Sequence, residues 1–259
     1  MWRKLRILIL LFILATVAHR AWLETHDVEW KDSLYVAVYP INADGSAQAA
    51  GYIETLTQDQ LAGITGYLAG EAERYALRIR YPFQLRLGRA IADRPPQPPE
   101  NAGVLQTVLW SLHFRWWAWR NSPAVTVPPD IRLYLLYHDP AQYQVLPHST
   151  ALSKGRIGLV NVYASRQYTR QNAVIVTHEL LHTVGASDKY DLMNHLPHFP
   201  EGYAEPEKQP LYPQDYAELM AGRILVSDNK AEIPDGLTHT LIGEQTAAEI
   251  GWLAAQEDR

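Results

Sequence analysis

Short apolar runs and long segments of helical spacing alternate from residue 34 to residue 184, and this alternation restricts the fold more than any other feature of the chain. LYVAVY at 34–39 alternates like a strand. Thr57 and Gln60 have the spacing of a capping box. Behind them Leu61, Ile64, Leu68, Ala72, Tyr75 and Ile79 recur at helical spacing, which predicts an amphipathic helix over 58–80. A strand is expected around 83–88, followed by a surface loop at RPPQPPENAG (94–103). Residues 104–120, VLQTVLWSLHFRWWAWR, read as a helix with two apolar stripes. Leu105, Leu109, Leu112, Trp116 and Trp119 form one, and Trp110, Phe114 and Trp117 the other. Two stripes predict a helix buried on two sides. Its tryptophans, with Arg115 and Arg120, also suit a helix that touches a membrane surface, but burial on both sides is the simpler expectation. IRLYLLY (131–137) and GRIGLVNVYA (155–164) are expected strands, and QNAVIVTHELLHTV (171–184) carries a helix. This order predicts an α+β fold with a mixed or largely parallel sheet packed with helices.

The texture changes after residue 191. Prolines crowd 192–215, and regular spacing returns only for a last helix over about 244–254. One domain over 24–259 is therefore expected, with an N-terminal subdomain (24–185) and a smaller, irregular C-terminal subdomain (186–259) that ends in a helix. Hydrophobic residues make up 47% of the 259, enough for a sizeable core. With no cysteine, thiolate metal sites, disulfides and cysteine nucleophiles are excluded. A net charge of −5, with no basic block beyond the first few residues, argues against a nucleic-acid partner.

That basic start has a different meaning. Arg3, Lys4 and Arg6 precede Ile7–Ala18, twelve residues that are apolar except for Thr16. A bilayer span needs roughly 20 residues, so this run fits the core of an export signal better. Residues 1–23 are read as a signal peptide or signal anchor. The protein is then exported, periplasmic or extracytoplasmic, and attached to the membrane by residues 5–23 if the signal is uncleaved. The short interval before the first strand leaves no room for a sizeable propeptide.

Residues 176–191 read VTHELLHTVGASDKYD. On a helix, residues four apart share a face, so His178 and His182 can aim their imidazoles at one ion. Glu179 lies beside that face, within reach of a water that a zinc ion would acidify. Gly185 stands where the helix should end, because glycine tolerates the left-handed conformation that reverses the chain. A reversal there can bring Asp188 back toward the metal, and a carboxylate is an acceptable zinc ligand. Glu218 is the alternative third ligand, on a later element. Asp191 is a candidate acceptor for a ligand-histidine N–H. His195 and His198 are expected in a loop lining the cleft, and His113, His138, His148 and His239 are expected to be structural.

HELLHTVGASD resembles the metzincin metallopeptidase signature H-E-x-x-H-x-x-G-x-x-H, with aspartate in the final place as in snapalysin-like and immune inhibitor A-like peptidases. SDKYD is similar to the D-E-Y-D continuation of the latter. The resemblance implies one catalytic zinc ion held by His178, His182 and Asp188, with Glu179 as the base. It also implies a mixed sheet with two main helices and a methionine turn beneath the site. Of the three methionines, Met220 in YAELMAGRI resembles the snapalysin-type E-L-M-x-G turn, whereas Met193 follows the motif too soon. Some metzincins place a transition-state-stabilising tyrosine two residues after that methionine. Gly222 occupies the place here, which leaves Tyr190 and Tyr216 as candidates.

The implied activity is zinc-dependent endopeptidase action on protein or peptide substrates. The edge strand that would pair with an extended peptide is expected at 155–164 or just before it. Two other readings stay open: a gluzincin-type peptidase closed by Glu218, and a non-catalytic, membrane-attached module that keeps zinc for structure.

Overall fold

The computed structural model describes residues 30–253, apart from 100–102, 124, 126 and 154, together with residues 2, 6 and 10. The expected export segment lies almost wholly outside the described residues. Five strands form the central sheet: β1 (Leu34–Asn42), β2 (Phe83–Leu87), β3 (Ile131–His138), β4 (Thr150–Leu152) and β5 (Ile157–Tyr163). Their order is β2-β1-β3-β5-β4. All pairings are parallel except that of β4 with β5, so the sheet is mixed and the protein is α+β.

Parallel strands buried on both faces read as near-continuous apolar runs, and all seven residues of β5 are buried. Side chains alternate between two cores. Val36, Val38, Leu133, Leu135, Val160 and Val162 point into the larger one. It is covered by α1 (Ala47–Glu54), α2 (Asp59–Arg74) and α4 (Thr169–His182). Ala37, Tyr39, Tyr134, Leu136, Ile157 and Leu159 point the other way, where α3 (Val104–Asn121) covers them. Past α4 the chain forms β6 (Ala217–Glu218), β7 (Ile224–Ser227), β8 (Lys230–Glu232), β9 (Thr240–Leu241) and α5 (Glu244–Glu249). The short pairs β6–β9 and β7–β8 make up this irregular part.

Several expectations need correction. α2 ends at Arg74 instead of 80, because Ala76 takes a left-handed φ of 53° and turns the chain toward β2. Its capping box is half formed, with Gln60 Oε1 accepting from the Thr57 amide at 3.0 Å. α1 was not foreseen. Ser46 caps it by accepting from the Ala49 amide, a short-range signal present in the sequence. α5 stops at Glu249, and Trp252 instead packs edge-on against Trp30 as core. The 155–164 strand is internal, and the edge strand is the segment just before it, β4. Among the described residues, no helix is long and apolar enough to cross a membrane.

The largest correction concerns α3. Trp110, Phe114, Trp117 and Ala118 are buried against the sheet. Leu105, Leu109, Leu112, Trp116 and Trp119 are 72%, 57%, 54%, 53% and 80% exposed. The helix is buried on one side only, because its aromatic stripe suffices to seal the sheet and no described element packs over the other. Phe114→Ala should therefore cost about 3–5 kcal/mol by chemical denaturation, the usual range for emptying a buried aromatic site. Leu109→Ala should stay within about 0.5 kcal/mol of the parent, as exposed substitutions do. A loss at Leu109 comparable to that at Phe114 would contradict one-sided burial.

Candidate metal centre

The helix α4 is set by its own apolar approach. Val174, Val176, Leu180 and Leu181 are buried in the larger core. With that face committed, His178 and His182, one turn apart, share the side turned toward the C-terminal part of the chain. Their rings stand edge to face with centroids 4.7 Å apart. After His182 the helix closes through Ala186 N–H donating to the Leu181 carbonyl at 3.1 Å. Gly185 sits in the left-handed region at φ +111°, and a Cβ there would lie 3.3 Å from the Glu249 carbonyl oxygen. That reversal brings Asp188 back under the rings.

Three donor atoms converge as a result. His178 Nε2 and His182 Nε2 are 3.1 Å apart. Asp188 Oδ1 is 3.1 Å from the first and 3.2 Å from the second. Donors at imidazole and carboxylate bond lengths of about 2.0–2.1 Å, set at tetrahedral angles, stand about 3.3 Å apart. An ion at that distance from all three would sit about 1 Å off their plane, leaving the fourth direction open. Proximity alone groups His178, Glu179 and His182, whose ligand atoms lie within 4.8 Å of one another. The triangle with Asp188 is tighter and is the better ligand set, with Glu179 beside it.

The other ring nitrogens are anchored. His178 Nδ1–H donates to the Leu219 carbonyl at 3.0 Å, and His182 Nδ1–H to the Ala186 carbonyl at 2.8 Å. Each bond fixes the tautomer that presents a bare Nε2 to an ion. Leu219 precedes Met220, which is fully buried and whose carbonyl accepts from the Lys189 amide at 3.1 Å. The turn carrying Met220 is thus bonded to the ligand helix and to the residue after Asp188. Gly222 has φ +68°, so a tyrosine in that place would be strained.

The charges respond to this crowding. Burial opposes protonation of His178, but the Asp188 hydrogen bond and the Glu179 charge outweigh it and raise its pKa to about 8. Burial also opposes ionisation of Asp188, yet hydrogen bonds from both histidines, and their charge, hold its carboxyl far below the usual range. Glu179 goes the other way: burial raises its pKa despite the neighbouring histidines.

Two depressions meet at Glu179, His178 and Tyr190. One, of about 430 Å³, runs along the edge strand past Thr150 and Ala151 and includes His148, His182 and Asp188. The other, of about 250 Å³, is walled by Val174, Ile175, Ala221 and Ile233, with Arg223 and His195 at its margin. Tyr190 lines both, its ring 6.5 Å from that of His178. Tyr216 lines neither and is corrected to a surface residue, 41% exposed. His195 lines the cleft as expected, but His198 does not. The exposed His198 uses its amide to hold the Lys189 carbonyl at 2.8 Å. Asp191 does not reach a ligand histidine either, because its carboxylate caps the turn at Met193 and Asn194.

Glu218, the alternative third ligand, is not brought to the rings. It is fully buried, and its oxygens accept from Met220 N (2.6 Å), Ala221 N (3.0 Å), Gly243 N (3.1 Å) and Thr246 Oγ1 (2.7 Å). It braces the methionine turn against the start of α5. A second brace had no sequence signal. Glu249 of α5 accepts from Ser187 N and Oγ at 2.8 and 2.9 Å and from Lys189 Nζ at 2.7 Å. Both neighbours of Asp188 are thereby tied to one carboxylate some sixty positions away.

No protein-family model matches the chain, and no curated protein is detectably similar to it. The geometry generates its own test. Glu249→Ala should weaken metal binding by about 10–100-fold, the usual loss when a ligand's support is removed. Competition against a chromophoric chelator would read it, with circular dichroism confirming that the fold survives. Unchanged affinity would mean that Asp188 needs no bracing.

Proposed function

We propose that the protein is a zinc-dependent endopeptidase in which His178, His182 and Asp188 hold the metal and Glu179 is the general base. The single observation that carries this reading is the donor triangle with 3.1–3.2 Å edges, both histidines anchored through Nδ1 and one direction open. The resemblance of HELLHTVGASD to the metzincin signature supports the same assignment. So do the glycine reversal, the buried Met220 beneath the rings and the antiparallel edge strand beside them. A structural zinc site normally takes four protein ligands. Three ligands with a buried carboxylate beside them favour catalysis.

When bound, zinc supplies the Lewis acidity that brings a water's pKa toward neutrality and polarises a substrate carbonyl. The chain's residues do the rest. An extended substrate pairs its backbone with β4, which selects peptides by main chain more than by side chain. The apolar depression by Val174, Ile175, Ala221 and Ile233 receives one substrate side chain. Glu179 takes a proton from the attacking water and delivers it to the departing amine. A carboxylate whose pKa is raised by burial can hold that proton between the two events. Tyr190, which lines both depressions, is the proposed donor of a hydroxyl hydrogen to the developing oxyanion. If residues 1–23 act as an export signal or anchor, the substrates are extracytoplasmic proteins.

Stoichiometric zinc in the purified protein, with chelator-sensitive cleavage of casein, is the first expectation. Glu179→Gln should keep the zinc and lose about 10²–10⁴-fold in kcat/KM. If that variant kept both its zinc and its full biological activity, a structural zinc module would be the better reading. Asp188→Ala should lose the metal, separating it from Glu218. Tyr190→Phe should lower kcat by about 10²-fold with KM little changed, as loss of one oxyanion donor does. An unaltered kcat would remove Tyr190 from the mechanism.

A further inference from the structure

The apolar stripe of α3 that the sheet does not use is continuous and has a charge pattern of its own. At 3.6 residues per turn, Leu105, Leu109, Leu112, Trp116 and Trp119 fall within an arc of about 80°. The buried stripe of Trp110, Phe114, Trp117 and Ala118 is centred roughly 165° away. The exposed line therefore points straight out from the protein. Val104 and Val108 extend its margin, at 84% and 45% exposed. From 104 to 121 the helix has no aspartate or glutamate, and its only titratable side chains are His113, Arg115 and Arg120. By the same helical geometry, Arg120 and His113 flank the apolar line on one side and Arg115 on the other. The Arg120 guanidinium lies 5.8 Å over the Trp116 ring.

Arg115 is half-buried, its Nε against Gly155, so the exposed cation beside the line is Arg120. This is the pattern of a helix lying in a bilayer interface: an apolar strip ending in indoles, with an arginine beside it that can reach phosphate level. A protein partner would need no such cationic bias. Positive charge continues beside it on the same face of the sheet. The register of β1 with β2 pairs Ala37, which packs under α3, with Arg86. Exposed Arg86 and Arg89 line a cavity of about 520 Å³ there, with Val125 and Val127. The protein's net charge is −5, so this concentration of arginine on one face is a local departure. The chain also carries an apolar N-terminal run behind Arg3, Lys4 and Arg6, which would bring it to a membrane if it acts as an export signal or anchor.

We infer that the exposed face of α3 docks on the surface of an anionic phospholipid bilayer, with the sheet lying between the membrane and the metal-bearing helix. The cleft then opens away from the lipid. This inference stands apart from the peptidase reading, and either can fail alone.

The absence of cysteine makes the test direct. The full-length chain carries one substitution, Leu109→Cys on α3 or Met193→Cys on the cleft side, labelled with an environment-sensitive fluorophore. Both positions are exposed, so neither substitution threatens the fold. With vesicles of phosphatidylcholine mixed with phosphatidylglycerol, the label at 109 should shift to the blue and brighten several-fold. The label at 193 should not respond. Pure phosphatidylcholine vesicles should give a smaller change at 109, and salt should reduce the difference between the two lipids. The inference is overturned if the label at 109 keeps its aqueous emission on anionic vesicles, or if both labels respond alike. It is equally overturned if the label at 109 is shielded before lipid is added. Doubled mass would then identify a second copy as the cover, and unchanged mass the chain's own N-terminal segment.

Discussion

Two imidazole nitrogens and a carboxylate oxygen held 3.1–3.2 Å apart cannot all keep bare lone pairs without repulsion. A proton or a cation must sit among them. The protein supports this arrangement from three directions. α4 fixes the spacing of the rings, backbone carbonyls fix their tautomers, and the Gly185 reversal with Ser187, Lys189 and Glu249 fixes the carboxylate. The raised pKa of His178 has the same origin: Asp188 and Glu179 favour a proton on the ring. A metal ion bound to these donors would displace that proton.

The sheet explains why such a cluster can be held. Its larger core is packed by three helices and by Leu219, Met220, Ile242 and Trp252 of the C-terminal part, so the ligand helix and the turn beneath it share one interior. On the opposite face, among the described residues, α3 buries four side chains, joined by Ile91 from the loop after β2. The molecule is therefore asymmetric across its sheet. The candidate site is braced on one side, and an exposed apolar line runs along the other.

What could be read from the sequence follows from the range of the interactions. His178, Glu179, His182, Gly185 and Asp188 span eleven positions, and helical geometry plus one glycine turn is enough to bring them together. Met220 was reached through a local turn pattern. Glu249 and Lys189 were not reached, because their partnership crosses sixty positions and neither residue type is distinctive. The two stripes of α3 were legible as apolar, but apolarity records what a surface avoids and not what covers it. Tyr216 is a candidate only as a substitute for the tyrosine that Gly222 replaces, and it lies outside both depressions. β4, only three residues long, is too short to show a period, so only its position just before the longer strand could be anticipated.

Four carboxylates near the centre show how environment alone assigns the roles. Asp188 faces two imidazoles, and their hydrogen bonds outweigh its burial and keep it ionised, as the proposed ligand role requires. In Glu249, burial is likewise outweighed, here by Lys189 and Ser187, so it stays charged as a brace. Glu218 is buried so deeply that its pKa rises even with four donors, which suits an internal strut that never meets solvent. Glu179 is raised by burial too: the charges of His178 and His182 oppose the rise, and the nearby Asp188 charge adds to it. Of these four carboxylates, it alone combines a raised proton affinity with an opening onto both depressions. That combination is what the proposed general base requires and what the other three carboxylates lack.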